Sequence, residues 1–426
     1  MELIPAHARI LTTLFALASI SACDGNGGGS LNRAPVASFT ALPSEGVVPL
    51  VVEFDASASS DADGTIVGYE WDFGDGESAS GAKVLHTFTD YGVFEVNVTV
   101  TDDHGAIDAE ADSVQVFSGV AAASYSAVAI PALVGQLYPQ DINNQGQVVG
   151  YFTVQDLISD RRVAFTYSDG VTSSLGTFGF DGSAAEAVND LSVIAGEYGV
   201  VDALSQPDTW YHAFLYVEGR LIAIETQSLE SYALDVNNAG TAVGYTRAGE
   251  GFAYANGEYQ TLPTLGGDYC SATSINDHGQ IAGQSETADG ERHIFVYEDG
   301  VITDIGTLGG RRAWATAINN HGDIVGSSEL PDGSSEGFLY RDGLMQSLGT
   351  ANPTDINNAG VVVGGAEVWD EVNGLQDLND LIEPDAGWTI ERIEAINDLG
   401  QMVGAGYDAT GTDVAIVLSP SDSGSQ

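Results

Sequence analysis

Residues 317–328 read "AINNHGDIVGSS", two short apolar runs split by Asn-Asn-His-Gly. One such stretch fits a hairpin turn, a calcium loop or a ligand-reading loop. It does not stand alone. Versions recur as "DINNQGQVVGYF" at 141–152, "DVNNAGTAVGYT" at 235–246, "SINDHGQIAGQS" at 274–285, "DINNAGVVVGGA" at 355–366 and "AINDLGQMVGAG" at 395–406. A weaker copy, "AVNDLSVIAGEY", occupies 187–198. The leading residues are Asn143, Asn189, Asn237, Asn276, Asn319, Asn357 and Asn397, spaced 38 to 48 residues apart. Self-similarity at that period marks a propeller or a solenoid.

The unit around residue 319 separates the two. "ATAIN", "DIVGSS", "EGFLYRD" and "LMQSLGT" are four strand-like runs divided by turn residues, and four strands make one propeller blade. At the ends, a single run, "ASYSAVAIPAL", precedes the first Asn, and only "QMVGAGY" and "VAIVLSP" follow the last. One strand from the start and three from the end complete a blade, so the spacing predicts seven blades closed by the termini. Asn-Asn/Asp-X-Gly then reads as a hairpin loop. Asn or Asp opens a type I turn and Gly takes the left-handed position. A calcium loop needs alternating carboxylates and a distal acid, which the motif lacks. Ser192 in place of Gly predicts local strain or a different turn. Gly150, Gly196, Gly244, Gly283, Gly326, Gly364 and Gly404 are expected where blades crowd together, with the Phe of "AF" and "GF" packing between blades.

Second-half motifs recur too: "HAFLYVEGR" at 212–220, "GFAYANGEYQTLPTLGG" at 251–267 and "HIFVYEDGVITDIGTLGG" at 293–310. This pattern resembles the HAF repeat of extracellular bacterial proteins over nearly all of 123–420. The resemblance implies a secreted or surface protein.

Ahead of the repeats, "VVPLVVEFDAS", "IVGYEWDFGDG", "KVLHTFTDYG" and "VFEVNVTVTDDHG" alternate apolar and polar residues between turns, as β-sandwich strands do. "GYEWDFGDG" at 68–76 and "HTFTDYGVFEVNVTVTDDHG" at 86–105 resemble a PKD domain. Trp71 and Phe73 share a strand face and are expected in its core, with Asp72 and Asp75 shaping the turn. Some members of that family bind calcium or polysaccharide. Asp55, Asp61 and Asp63, close together in "DASASSDADG", are the candidate calcium ligands.

At the N-terminus, Ile10–Ala18 has the length of a signal-peptide core, and "ISAC" at 20–23 resembles a bacterial lipobox. Acylation of Cys23 would anchor the protein to a membrane, with "DGNGGGS" as the tether. Cys270 is then the remaining thiol, which excludes an intramolecular disulfide and a Cys-based zinc site. The expected order is a signal peptide over 1–22, lipidated Cys and linker over 23–34, a PKD-like sandwich over 35–117, a propeller over 118–420 and a disordered tail over 421–426. The fold class is all-β: an Ig-like sandwich followed by a seven-bladed propeller with terminal strand closure.

Against 61 acidic residues the chain of 426 sets 12 basic ones, for a net charge of −49. Such a field repels phosphate backbones and excludes nucleic acid as a partner. Because the acids are dispersed, a surface adapted to saline surroundings is favoured over a cation-binding one. No nucleophile elbow or phosphate-cradling loop is present. His278 and His321 share one repeat position and His212 and His293 another, so a metal cluster requires them to line the channel. Arg311, Arg312 and Trp314, adjacent in an Arg-poor chain, are the candidate ligand-binding residues. The expected function is binding or interaction at an outer membrane or cell surface, with a polysaccharide or surface protein as partner, no catalysis and no cofactor beyond calcium. The alternative is a polysaccharide hydrolase or lyase acting at the channel mouth.

Overall fold

A computed structural model describes residues 32–421 except 49, 90–91, 118–120, 123, 156–159, 202–208, 350–351 and 383–386. The chain divides at Val116/Phe117 into two compact units.

In the first unit, Thr40–Leu42, Leu50–Asp55 and Lys83–Phe88 form a three-stranded sheet. Glu45–Val47, Ile107–Phe117, Gly92–Asp102, Ile66–Asp72 and Ser78–Ser80 form a five-stranded one. Period-two alternation decides which residues face inward: Leu50, Val52 and Phe54 from one sheet, Val96, Val98 and Val100 from the other. Trp71 and Phe73 join this core with their rings stacked 9° apart, and the Trp71 indole donates to the Gly81 carbonyl at 2.8 Å. Asp72 and Asp75 accept from the amides of Gly74 and Glu77, which shapes the turn between them. His86, buried, stacks on Phe73 at 3.9 Å and meets Asp75 at 2.6 Å.

The second unit holds, among the described residues, seven four-stranded antiparallel sheets. Sheets I to VI run in sequence order over residues 137–176, 182–223, 231–261, 266–306, 313–349 and 355–377. Sheet VII combines Thr389–Ile396, Met402–Tyr407 and Asp413–Pro420 with Tyr125–Ala129, a strand from the start of the unit. Ile416 pairs with Ala129 and Leu418 with Ala127, and the Ile130 amide donates to the Ala415 carbonyl at 2.8 Å. Sheet VI has the shortest strands and is followed by one helical turn, Leu378–Leu381, capped by Asp377.

Apolar clusters lie between neighbouring sheets. Phe252 of sheet III packs with Ala195, Ala213 and Leu215 of sheet II, and Phe338 of sheet V packs with Ala282 and Ile294 of sheet IV. Each fully buried Phe contributes roughly 2–3 kcal/mol relative to exposure. The repeated glycines have a different neighbour from the expected one. A Cβ on Gly150, Gly196, Gly244, Gly283, Gly326, Gly364 or Gly404 would lie 1.9–2.1 Å from a carbonyl oxygen of its own sheet's first strand or the segment leading into it. In six of the sheets the first strand carries a bulge just beyond that contact, which presses its backbone toward the second strand. The crowding is therefore within a sheet rather than between sheets. Phe165, Phe252, Phe295 and Phe338, opposite four of these glycines, cover the bare backbone from the third strand.

Candidate functional site

The repeated turn is a hairpin of the expected kind. The Gly146 amide donates to the Asn143 carbonyl at 2.9 Å, and Gly146 has φ 71°. Ser192 makes the same turn at φ 60°, so the outcome there is a strained residue and not a new turn.

Turn formation does not account for the side chains. The Asn143 carboxamide oxygen accepts from Gln145 and Gln147 within its own loop, while its NH₂ donates to the Asn189 carbonyl of the next sheet at 2.9 Å. Asn189 donates to Asn237, Asn237 to Asn276, Asn276 to Asn319, Asn319 to Asn357, Asn357 to Asn397, and Asn397 back to Asn143. A second cycle uses the following residue. The Asn144 amide donates to the Asp190 side chain, and the series continues through Asn238, Asp277, Asn320, Asn358 and Asp398 back to Asn144, each bond 2.7–2.9 Å. The first position must accept and donate at once, which Asn does and Asp cannot. The second needs only an acceptor for this cycle, and there four copies carry Asn and three carry Asp.

These turns border one cavity of ≈180 Å³. Asp141, Asp235 and Asp355 stand two residues before the leading Asn in sheets I, III and VI, and the latter two line the cavity. Each carboxylate bridges two sheets. Asp141 accepts from Ile142 and Val188, Asp235 from Val236, Ser274 and Ile275, and Asp355 from Ile356 and Ile396. Burial pushes Asp141 up to about 7 and Asp355 up to about 8, with mutual repulsion adding to the rise, and raises Asp235 as well. Sheets II, V and VII carry Ala187, Ala317 and Ala395 at this position.

A second constellation lies on sheets I and II. Glu186, the bulge residue of its strand, shares a side-chain hydrogen bond with Glu197, which is 4% exposed. Burial raises both carboxyls, Glu197 well above the ordinary range because Glu186 repels its charge as well. Arg162 stands 3.8 Å from Glu197 and 4.7 Å over the Tyr151 ring. Sequence reasoning missed both carboxylate groups. Dispersed acids carry no spacing signal, and the contacts join different repeats.

The sequence candidates fall as follows. Arg311 is exposed and paired with Glu291 at 3.2 Å, and Arg312 is exposed. Trp314 is half-buried opposite Ser327 in sheet V. His293 pairs with Asp304 at 2.9 Å, and the His321 amide donates to Asn319 within its own turn; among the described residues neither joins a multi-residue ligating group. Cys270 is a buried free thiol, and Cys23 lies outside the described residues. Ser421 donates to the Ser124 carbonyl, and 422–426 lie outside the described residues.

In the first unit, Asp55 is held to about 2 by Lys83 at 2.6 Å and by Ser57, apart from the other two acids. Asp63 accepts from the Arg33 amide at 3.3 Å. Asp61 has a buried carboxylate oxygen with no partner among the described residues, and that oxygen and one of Asp103 both crowd the open side of Gly64. Asp103, Asp102 and His104 bring one potential ligand atom each within 4.8 Å of one another.

Residues 32–117 match the PKD domain family. Collagenase ColA of Clostridium perfringens is 44% identical over 70 residues, which are 16% of this chain and 6% of that protein. The pre-pro-metalloprotease PrtV of Vibrio cholerae is 40% identical over 85 residues, 20% of this chain and 9% of that one. The chain thus spans less than a tenth of either relative. The solved PKD1 domain of PrtV is 39% identical, with a TM-score of 0.18, over 20% of this chain and 98% of that domain. The β-propeller domain of the Trilobed protease from Pyrococcus furiosus is 10% identical, with a TM-score of 0.36, over 74% of this chain and 98% of that one. Residues 32–117 are a PKD domain, and it is followed by propeller-like four-stranded repeats.

Proposed function

We propose that residues 118–420 form a closed seven-bladed propeller of HAF-type repeats, and that the protein works at an outer membrane or cell surface as a glycan-binding or interaction protein. Lipidated Cys23 holds it to the membrane, and the PKD domain spaces the propeller from it. The observation that carries this reading is the use of the repeated polar side chains. The leading Asn of every turn is consumed in sheet-to-sheet hydrogen bonds, so recognition falls to residues that differ between copies. The PKD matches to a collagenase and a metalloprotease support an extracellular setting. A polysaccharide array probed with the full chain at high salt, with product analysis, tests it. Retention without new reducing ends is expected.

The Glu186–Glu197 pair beside Arg162 is the observation behind the second reading, a polysaccharide hydrolase or lyase; glycosidic cleavage by acid–base work requires the two carboxyls, hydrogen-bonded here, to part to about 5 Å or more around the bond. Released oligosaccharides would establish it. For calcium, the orphaned oxygen of Asp61 with Asp103 offers hard oxygen donors of the kind that ion takes. Millimolar calcium is expected to raise the melting temperature, and Asp61→Ala to abolish the rise; an unchanged melting curve would remove calcium from the account.

A further inference from the structure

The repeats agree at the glycine of each second strand and disagree immediately after it. That next position is Tyr151, Glu197, Tyr245 and Gln284 in sheets I to IV, but Ser327, Gly365 and Ala405 in sheets V to VII. Because the register is shared, the four large side chains leave their sheets on the same side. Tyr151 stacks on Tyr138 at 5.0 Å and Tyr245 on Tyr232 at 5.1 Å. The Glu186–Glu197 pair lies within electrostatic reach of both tyrosine pairs. Gln284 is only 6% exposed, and its side-chain oxygen has no partner among the described residues.

Folding does not require this arrangement, since sheets V to VII form with Ser, Gly and Ala in its place. The unpaired buried amide oxygen of Gln284 costs stability unless a further group satisfies it. Two carboxyls hydrogen-bonded to one another hold a proton between them, and Arg162 offsets the charge that remains. The arrangement is thus near neutral. It offers half-buried tyrosine rings flanked by donors and acceptors, which suits a ring with an apolar C–H face and peripheral hydroxyls. A polyanion would meet both the acid pair and the net charge of −49.

We infer that the arc of Tyr151, Glu197, Tyr245 and Gln284 on sheets I to IV, with Tyr138 and Tyr232, is a row of subsites for successive neutral pyranose units of a polysaccharide. This rests on the glycan-binding reading above and assigns its place and ligand charge. The test titrates the full chain in 1 M NaCl with cellohexaose, laminarihexaose, mannohexaose and an oligogalacturonate. At least one neutral hexasaccharide is expected to bind, and Tyr245→Ala and Gln284→Leu each to weaken it tenfold or more. Gln284→Leu is expected to raise the melting temperature at the same time, because it removes an unpaired buried oxygen; a residue serving only the fold would not separate the two readouts. Binding of a neutral hexasaccharide that both variants leave intact would overturn the subsites and spare the glycan reading. Binding of the oligogalacturonate alone would overturn the ligand class assigned here. Binding of no oligosaccharide, with an empty polysaccharide array, would overturn both.

Discussion

The two asparagine positions of the repeated turn look interchangeable in sequence and are not so in chemistry. The NH₂ of Asn319 donates to the Asn357 carbonyl while its oxygen accepts from His321 and Asp323. Asn319→Asp leaves a buried carboxylate facing that carbonyl and is expected to cost about 3 kcal/mol. Asp277→Asn keeps the acceptor for the Asn238 amide but replaces the exposed oxygen that accepts from the Asn238 and Asn320 side chains with a donor, and is expected to cost about 1 kcal/mol. Chemical denaturation of both variants checks the contrast. A Cβ at Gly283 would stand 2.0 Å from the Ser271 carbonyl oxygen, so Gly283→Ala is expected to lose about 3 kcal/mol or more in the same assay. The sequence showed that these residues mattered, through recurrence. It read the Asn only as a turn former, because its second role is a bond to a residue 38 to 48 positions away that local pattern does not reach.

At the level of strands and sheets the pattern was informative where alternation and turns were strong. The repeat around residue 319 reads as four runs, and four strands form. Sheet VI departs from this, with a first strand of two residues, although Pro353 beside it has a counterpart, Pro139, inside the six-residue first strand of sheet I. What joins one sheet to the next was not legible. Asp141, Asp235 and Asp355 bridge sheets I to II, III to IV and VI to VII, and nothing in their spacing distinguishes them from other acids. Their chemistry has a pH signature. With folded values raised to about 7 for Asp141 and about 8 for Asp355 against ordinary values near 4, the folded chain holds protons that the unfolded chain has released. Their contribution is fully present below about pH 4 and is lost as pH rises through 7 to 8. Melting temperature is therefore expected to fall between pH 5 and 8. Asp141→Ala with Asp355→Ala, which copies the residue of sheets II, V and VII, should flatten that fall; an unchanged slope would place its origin elsewhere.

Over the whole molecule, the account depends on how the second unit ends. Three of the strands in sheet VII come from the C-terminal end of the chain and the fourth from residues 125–129, while the Asn397 side chain bonds to the Asn143 carbonyl across 254 residues. Counting strand-like runs at the two termini anticipated this pairing, since neither terminus has enough strands for a sheet by itself. The terminal pairing supplies sheet VII with its fourth strand, while every sheet keeps its own two edge strands. In the proposed ring the repeats depend on one another, because opening one junction uncovers two sheet faces and breaks both hydrogen-bond cycles. The most direct measurement replaces Ser126 and Ser419, which face each other in the terminal ladder, with cysteine in the full-length chain. Cys270 is fully buried and does not compete. Mild oxidation followed by mass analysis of non-reduced peptides reports the outcome. A disulfide linking positions 126 and 419 is the predicted result; two free thiols under conditions where the protein is folded would contradict the closed ring.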